Sequence, residues 1–322
     1  LNPTAIYPLI AGDMQAVDAV IRLRLHSDVP LVRQIAEYIV AAGGKRLRPA
    51  LLLLSAGALG YDGARRHELA AVVEFIHTAT LLHDDVVDES ALRRGRETAN
   101  AQFGNAASVL VGDFLYSRAF QMMVDVGSMR VMQVLADATN VIAEGEVLQL
   151  MNCRNPDLSV AGYLQVVRYK TAKLFEASAR LAAILDDAPP EIEESLAAYG
   201  MHLGTAFQIA DDVLDYSGEQ EQIGKSLGDD LAEGKPTLPL IYAMEFGDAG
   251  QSGVVRRALE SGGRAAFPEV IEAVESTGAL RAALQAAEEE AERARLALRA
   301  IPGSHYRDAL LQLASFAVDR RF

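Results

Sequence analysis

The chain has 322 residues, half of them apolar, and carries 44 acidic against 30 basic side chains, for a formal charge of −14. That size and apolar content suffice to bury a large core, so a folded protein of one large domain or two modest ones is expected rather than a disordered chain. The acid excess argues against nucleic acid or anionic lipid as the main partner. Cys153 is the single cysteine, which excludes an internal disulfide and a thiolate metal cluster. Charges interrupt every apolar stretch well before the roughly 18 to 20 residues of a membrane span, and no basic flank precedes an apolar run at the start. A soluble, cytoplasmic protein without a transmembrane segment is expected.

Apolar residues recur at helical spacing almost throughout, and period-two alternation is never sustained, so the fold class is all-α. In chain order, Pro30, the Gly43-Gly44 pair and Gly60 to Gly63 set off the first segments. From about Arg65 to Asp88 an apolar helical stretch ends in Asp84, Asp85 and Asp88. A helix after Gly112 carries Phe120, Met122 and Met123, which read first as core. Asn155-Pro156-Asp157 and Pro189-Pro190 mark the next breaks. From about Glu191 to Tyr216, Leu196, Tyr199, Leu203, Phe207, Ala210 and Leu214 trace one helical face, ending at Asp211, Asp212 and Asp215. Ser217-Gly218, the Gly247 to Gly253 stretch, Gly262-Gly263 and Pro302-Gly303 divide the remainder. The charge run from Glu288 to Arg299 reads there as the solvated face of a helix.

Both aspartate clusters have the form Asp-Asp-x-x-Asp, which puts the first and last carboxylates on one helical face. Each falls at a helix C-terminus, where the backbone dipole already favours cations, so clustered acid there is unfavourable unless a cation arrives. Oxygen ligands without His or Cys select Mg²⁺ or Mn²⁺ over Zn²⁺. Two such clusters on separate helices suit a diphosphate clamped from both sides, with metal stabilising charge on the departing oxygens. The alternative, two exposed acidic helix ends, fits poorly with the apolar stretches that precede them.

The ensemble of motifs resembles the trans-isoprenyl diphosphate synthase family. The resemblance rests, in order, on Gly43-Gly44-Lys45-Arg46-Leu47-Arg48-Pro49, on the run from Glu74 through His77 to Asp88, and on Arg93-Arg94-Gly95. It continues through Lys170-Thr171, the run from Phe207 to Asp215, and the segment from Gly224-Lys225 to Lys235-Pro236-Thr237. Coverage runs from about Gly43 to Pro239. The stretch from Thr98 to Phe114 is similar to the long-chain bacterial branch, the octaprenyl and related synthases that make quinone tails. Glu97 departs from the proline or small residue common there, which bears on how that loop is held.

The resemblance implies a large helical bundle around a central apolar cavity, and a homodimer. It implies that Asp84, Asp88 and Asp211 bind Mg²⁺ bridging to an allylic diphosphate, supported by Asp85, Asp212 and Asp215. Arg93, Lys170 and Lys235, within the same motif set as Lys225, would contact that diphosphate. Lys45, Arg48, His77 and Arg94 would bind isopentenyl diphosphate. The residues themselves agree in part, since Lys45 and Arg48 flank a Gly-Gly turn that offers amides and fixed cations to an anion. Taken singly, each basic residue reads as solvated surface, and His77, His83 and His202 as hydrogen-bonded core.

In this family the diphosphate leaves, the double bond of isopentenyl diphosphate attacks the allylic cation, and a proton is lost. No side-chain nucleophile is required, in keeping with catalysis by charge and position. Thr171 and Gln208 would stabilise the cation through oxygen dipoles. Chain length would follow the depth of a channel below Asp84. Ala79 and Thr80 lie about one turn deeper, are small, and would let the tail pass, with Phe120, Met122 or Met123 as a deeper stop. A product of about C40, with C45 and C50 in reach, is expected from farnesyl or geranyl diphosphate. The alternatives are a medium-chain geranylgeranyl diphosphate synthase and a regulatory subunit of a heteromeric synthase. A class I terpene cyclase is disfavoured by the second aspartate cluster.

Overall fold

A computed structural model describes residues 6–41, 44–93, 95–217, 227–262 and 264–319. Arg94, Lys225 and Gly43, each singled out above, lie outside the described residues. The helices are α1 (Ala11–Arg24), α2 (Pro30–Ala41), α3 (Leu47–Leu59), α4 (Arg65–Val87), α5 (Ala99–Phe103), α6 (Asn105–Val126) and α7 (Met129–Asn152). They continue with α8 (Val160–Val167), α9 (Lys173–Leu185), α10 (Pro190–Ser217), α11 (Asp229–Glu233), α12 (Leu238–Phe246), α13 (Ala249–Ser261), α14 (Phe267–Ser276), α15 (Ala279–Ala297) and α16 (His305–Val318). The all-α expectation holds, with one addition. Strands β1 (Leu92–Arg93) and β2 (Arg96–Glu97) pair antiparallel around Gly95, whose φ of +73° suits a residue without a Cβ. This ribbon holds the loop that contains Glu97, whose carbonyl also accepts from the Tyr38 hydroxyl at 2.7 Å.

Local chemistry sets the boundaries. Thr98, Ser128, Ser159 and Ser304 each accept a first-turn backbone N–H, the oxygen cap that an otherwise unpaired donor needs. Gly60 and Gly127 end α3 and α6 in the left-handed conformation. Pro30 and Pro190 stand at the first helical position of α2 and α10, where a missing N–H is harmless. The Gly247 to Gly253 stretch breaks the chain less than its composition suggests. Asp248 and Gln251 form a capping box, so α13 starts at Ala249 and runs through Gly250 and Gly253.

The main core joins α1, α3, α4, α6, α7, α9, α10 and α16. A smaller cluster centres on α12, α13 and α14, and a third packs Tyr163 and Val167 of α8 against α10, α12 and α15. Glycines permit the closest approaches. A Cβ on Gly112 of α6 would sit 2.3 Å from His83 Nε2 of α4. The Glu288 to Arg299 run is not uniformly solvated. Glu290 is 3% exposed, accepts from Arg293 at 2.6 Å, and has His202 Nδ1 at 2.6 Å. Helical periodicity turns that one position of a charged run inward, where His202 and the arginines hold its carboxyl below the usual range against the effect of burial.

Candidate active site

Between α8 and α9 the helix widens into a π turn, Arg168–Ala172, which carries Lys170 and Thr171. Such turns re-aim side chains at the cost of a regular hydrogen-bond ladder. Two glycines make room for it. A Cβ on Gly145 of α7 would lie 2.7 Å from Lys170 N, and one on Gly204 of α10 would lie 2.7 Å from Ala172 Cα.

The π turn delivers Lys170 to the end of α4. Its Nζ lies 2.5 Å from Glu146 Oε2 and 3.4 Å from Asp84 Oδ2. Asp85 is buried, and its Oδ1 accepts Arg93 Nε at 2.9 Å and Nη2 at 2.6 Å. Asp88 Oδ2 receives Lys235 Nζ at 2.8 Å. Each acid of the first motif thus has its own cation. Burial opposes the charge on Arg93, but Asp85, then Asp84 and Asp88, strengthen its hold on the proton. Lys170 behaves likewise, held charged by Asp84 and Glu146 against burial.

The second motif divides. Asp211 is exposed, whereas Asp212 is 4% exposed and Asp215 is 7% exposed. Tyr163 and Gln208 donate to the two oxygens of Asp212, and the backbone N–H of Asp230 donates to Asp215 Oδ2 at 3.1 Å. Burial and the nearby Asp230 push the Asp212 carboxyl well up. The structure thus separates Asp211 from Asp212 and Asp215, which α10 turns toward α8 and α11. Lys235, whose ammonium is held charged by Asp88, Glu233 and Asp230 despite burial, links to the second motif through Asp230, whose carbonyl accepts its backbone N–H and whose own N–H donates to Asp215.

Thr171 and Gln208 are hydrogen-bonded at 2.9 Å. Arg48 stacks its guanidinium 4.5 Å from the Phe175 ring centre, and Lys45 Nζ lies 5.5 Å from that of Phe316. Arg46, between them, adopts a left-handed φ of 45°, ion-pairs with Asp18, and lines a cleft with His77 and Arg93. A non-glycine residue held there carries backbone strain of roughly 1 kcal/mol or more. Among the chain-length candidates, Ala79, Met122 and Met123 are fully buried, and the Thr80 hydroxyl donates to the His77 carbonyl. Phe120 is 36% exposed, because the inner stripe of α6 runs through Ala119, Met122, Met123 and Val126 and leaves position 120 outside.

Sequence reading missed Glu146, Tyr163, Tyr116, Asp230 and Glu233. No motif flags Glu146 or Tyr163, which sit inside ordinary helical segments. Burial, opposed by Lys170 and helped by Asp84, pushes Glu146 up to about 7, and the Tyr116 hydroxyl is pushed up to about 12 by burial and by Glu146. Among the described residues no three His, Cys, Asp or Glu side chains form a ready-made metal cage. The donor set is still right for Mg²⁺, which takes one or two carboxylates, keeps waters and completes its shell with substrate phosphate. No described helix is long and apolar enough to cross a membrane.

An all-helical bundle whose first acid cluster is lined by Lys170, Arg93 and Lys235 fits a class of diphosphate-handling enzyme. The chain belongs to the polyprenyl synthetase family, whose model matches residues 29–275, and it is a prenyltransferase. It is 54% identical over 321 residues to the octaprenyl diphosphate synthase of Escherichia coli strain K12, covering 99% of each chain. It is 47% identical to the geranyl-diphosphate-specific all-trans-nonaprenyl-diphosphate synthase of Rhodobacter capsulatus, covering 97% of this chain and 96% of the relative. Among solved structures, a polyprenyl synthase from Caulobacter crescentus CB15, complexed with calcium and isoprenyl diphosphate, superposes with a TM-score of 0.96 at 46% identity, covering 100% of this chain and 98% of that one.

Proposed function

We propose that the whole chain, residues 1–322, acts as a single catalytic domain that condenses isopentenyl diphosphate onto farnesyl or geranyl diphosphate to build an all-trans tail of about C40. The observation that carries the reading is the set of cations seated on the first acid cluster, Lys170 at Asp84, Arg93 at Asp85 and Lys235 at Asp88. The similarity to octaprenyl and nonaprenyl synthases supports a long product and a quinone side chain as its destination. The alternatives of a medium-chain enzyme or a regulatory subunit gain nothing from either.

Asp84, Asp88 and Asp211 would hold Mg²⁺, and the bound metal would supply positive charge to the departing diphosphate. Lys170, Lys235 and Arg93 add fixed cations to the same group, already oriented by Asp84, Asp88 and Asp85. Lys45, Arg48 and His77 are the isopentenyl diphosphate contacts in this reading, with Arg46 placed to join them. Thr171 and Gln208 offer oxygen dipoles to the allylic cation, and the tail descends past Ala79 and Thr80 toward Met122 and Met123. Helices of 22 and 28 residues, α6 and α10, are about 33 and 42 Å long, a depth in which some eight prenyl units fit.

Apolar side chains crowd the outer faces of α6 and α7, among them Leu110, Val124, Met129, Leu150 and Met151. Exposed apolar side chains gathered on two consecutive helices suit an association surface, and a homodimer in the cytoplasm is the arrangement proposed. The deciding experiment is incubation with farnesyl diphosphate, labelled isopentenyl diphosphate and Mg²⁺, followed by product mass. Products near C40 support the reading. Termination at C20 assigns a medium-chain enzyme, and elongation only after a second protein is added assigns a subunit.

A further inference from the structure

Tyr163 lies wholly buried in α8 against Ile209, Val213 and Ile241, surroundings that call for no hydroxyl. Its phenol nevertheless donates to Asp212 Oδ2 at 2.6 Å. The other oxygen, Oδ1, receives Gln208 Nε2 at 2.7 Å. The end of the Gln208 amide that faces Asp212 is therefore the NH₂ group. The amide oxygen is then at the far end, 2.9 Å from Thr171 Oγ1. An amide oxygen only accepts, so Thr171 directs its single proton to Gln208. A hydroxyl that has donated its proton has only lone pairs left to offer to anything approaching it.

We propose that Tyr163 is a positioning residue for prenyl transfer. Through Asp212 and Gln208 it fixes the polarity of the Thr171 hydroxyl, so that oxygen lone pairs rather than an O–H face the allylic carbon. When the allylic C–O bond breaks, its electron pair leaves with the diphosphate, and the carbon left positive meets a fixed negative dipole. This inference rests on the prenyl-transfer reading above. It also gives Asp212 a role distinct from that of Asp211, because both oxygens of Asp212 are committed to protein donors. Without the phenol, Oδ2 of buried Asp212 loses its donor, the group is tethered by Gln208 alone, and the amide and the Thr171 hydroxyl beyond it are no longer held in one place.

The test is a double-mutant cycle of Tyr163→Phe and Thr171→Val, residues that act here through a chain of intermediaries. Each single variant is expected to lower kcat roughly tenfold, and the pair to be no slower than Thr171→Val alone. KM for isopentenyl diphosphate, and Mn²⁺ affinity measured without substrate, should stay within about twofold of the parent protein. Additive kcat losses, or a fall in Mn²⁺ affinity as large as the fall in kcat, would overturn the relay. The same cycle read as unfolding midpoints needs no activity at all. Shifts that fail to add support the relay, and additive shifts reject it. Should Tyr163→Phe not fold, Asp212→Asn takes its place in both cycles with the same non-additivity expected. A parent protein that elongates nothing would remove the functional reading, and the unfolding cycle would still decide the relay.

Discussion

Lys235 Nζ lies 2.8 Å from Asp88 Oδ2, although 147 positions of sequence separate them, and the same ammonium is 2.5 Å from Glu233 Oε2. This contact ties the end of α4 to the segment that follows α11. It also brings the first acid motif beside Asp230, which caps the second through Asp215. Lys235→Ala removes the cation that two partly buried carboxylates share. A charge-assisted hydrogen bond contributes about 1.5 to 3 kcal/mol, so kcat/KM for the allylic diphosphate is expected to fall about 10- to 100-fold. A loss below about threefold in steady-state kinetics would show that Lys235 is a structural counter-ion only.

Chelation of divalent metal is expected to stop prenyl transfer, and Mg²⁺ to restore it, because the acids at the ends of α4 and α10 repel a diphosphate without a bridging cation. Asp84→Asn and Asp211→Asn should each lower kcat at least about a hundredfold. Asp215→Asn should cost less, since its Oδ2 already accepts the Asp230 backbone N–H. Equal losses at all three positions, measured at saturating Mg²⁺, would reject this division of the second motif.

Glu146 makes stability depend on pH. Its native carboxyl, pushed up to about 7 by burial, and by Asp84 against the pull of Lys170, keeps a proton that an ordinary carboxyl with a value of 4.5 has released. The native state therefore binds more protons between those values, and stability falls as pH rises through that window. Below the window there is no penalty, and above it the penalty is complete. Glu146→Gln should flatten the fall in unfolding midpoint between about pH 4.5 and 7, measured without divalent metal. An unchanged slope would mean that Glu146 is ionised throughout.

Gly145→Ala would press a methyl against the π turn, 2.7 Å from Lys170 N and 2.9 Å from Tyr169 Cβ. Overpacking against backbone costs about 1 to 3 kcal/mol, so a lower unfolding midpoint and a lower kcat are expected together. Gly12→Ala is the control, since no atom lies within 4 Å of a Cβ there. A Gly145→Ala protein as stable as the control would show that the π turn has room to shift.

Ala79→Phe should shorten the product, because a large ring on the buried face one turn below Asp84 blocks the descending tail. Product masses with farnesyl diphosphate as starter give the answer. A distribution centred on the parent length would place the channel elsewhere.

Much of this was legible in the order of residues. Helical periodicity is a local property, so the two apolar stretches ending at Asp88 and Tyr216 could be recognised as α4 and α10, and their acids as a pair of sites. Capping chemistry is local as well, and it placed most of the breaks, failing at Gly250 and Gly253 only because Asp248 and Gln251 cap a helix that holds them.

The tertiary structure decided which acids and cations meet. How far α10 is rotated against α8 turns Asp212 toward Tyr163 and leaves Asp211 exposed. The rotation of α6 sends Phe120 outward and Met122 inward. A π turn seated against Gly145 and Gly204 brings Lys170 to Glu146, a residue with no motif of its own. These outcomes follow from close packing between helices distant in sequence, where one glycine or one extra residue in a turn changes what a side chain faces. Spacing along the chain set the chemistry available, and packing between helices selected the partners.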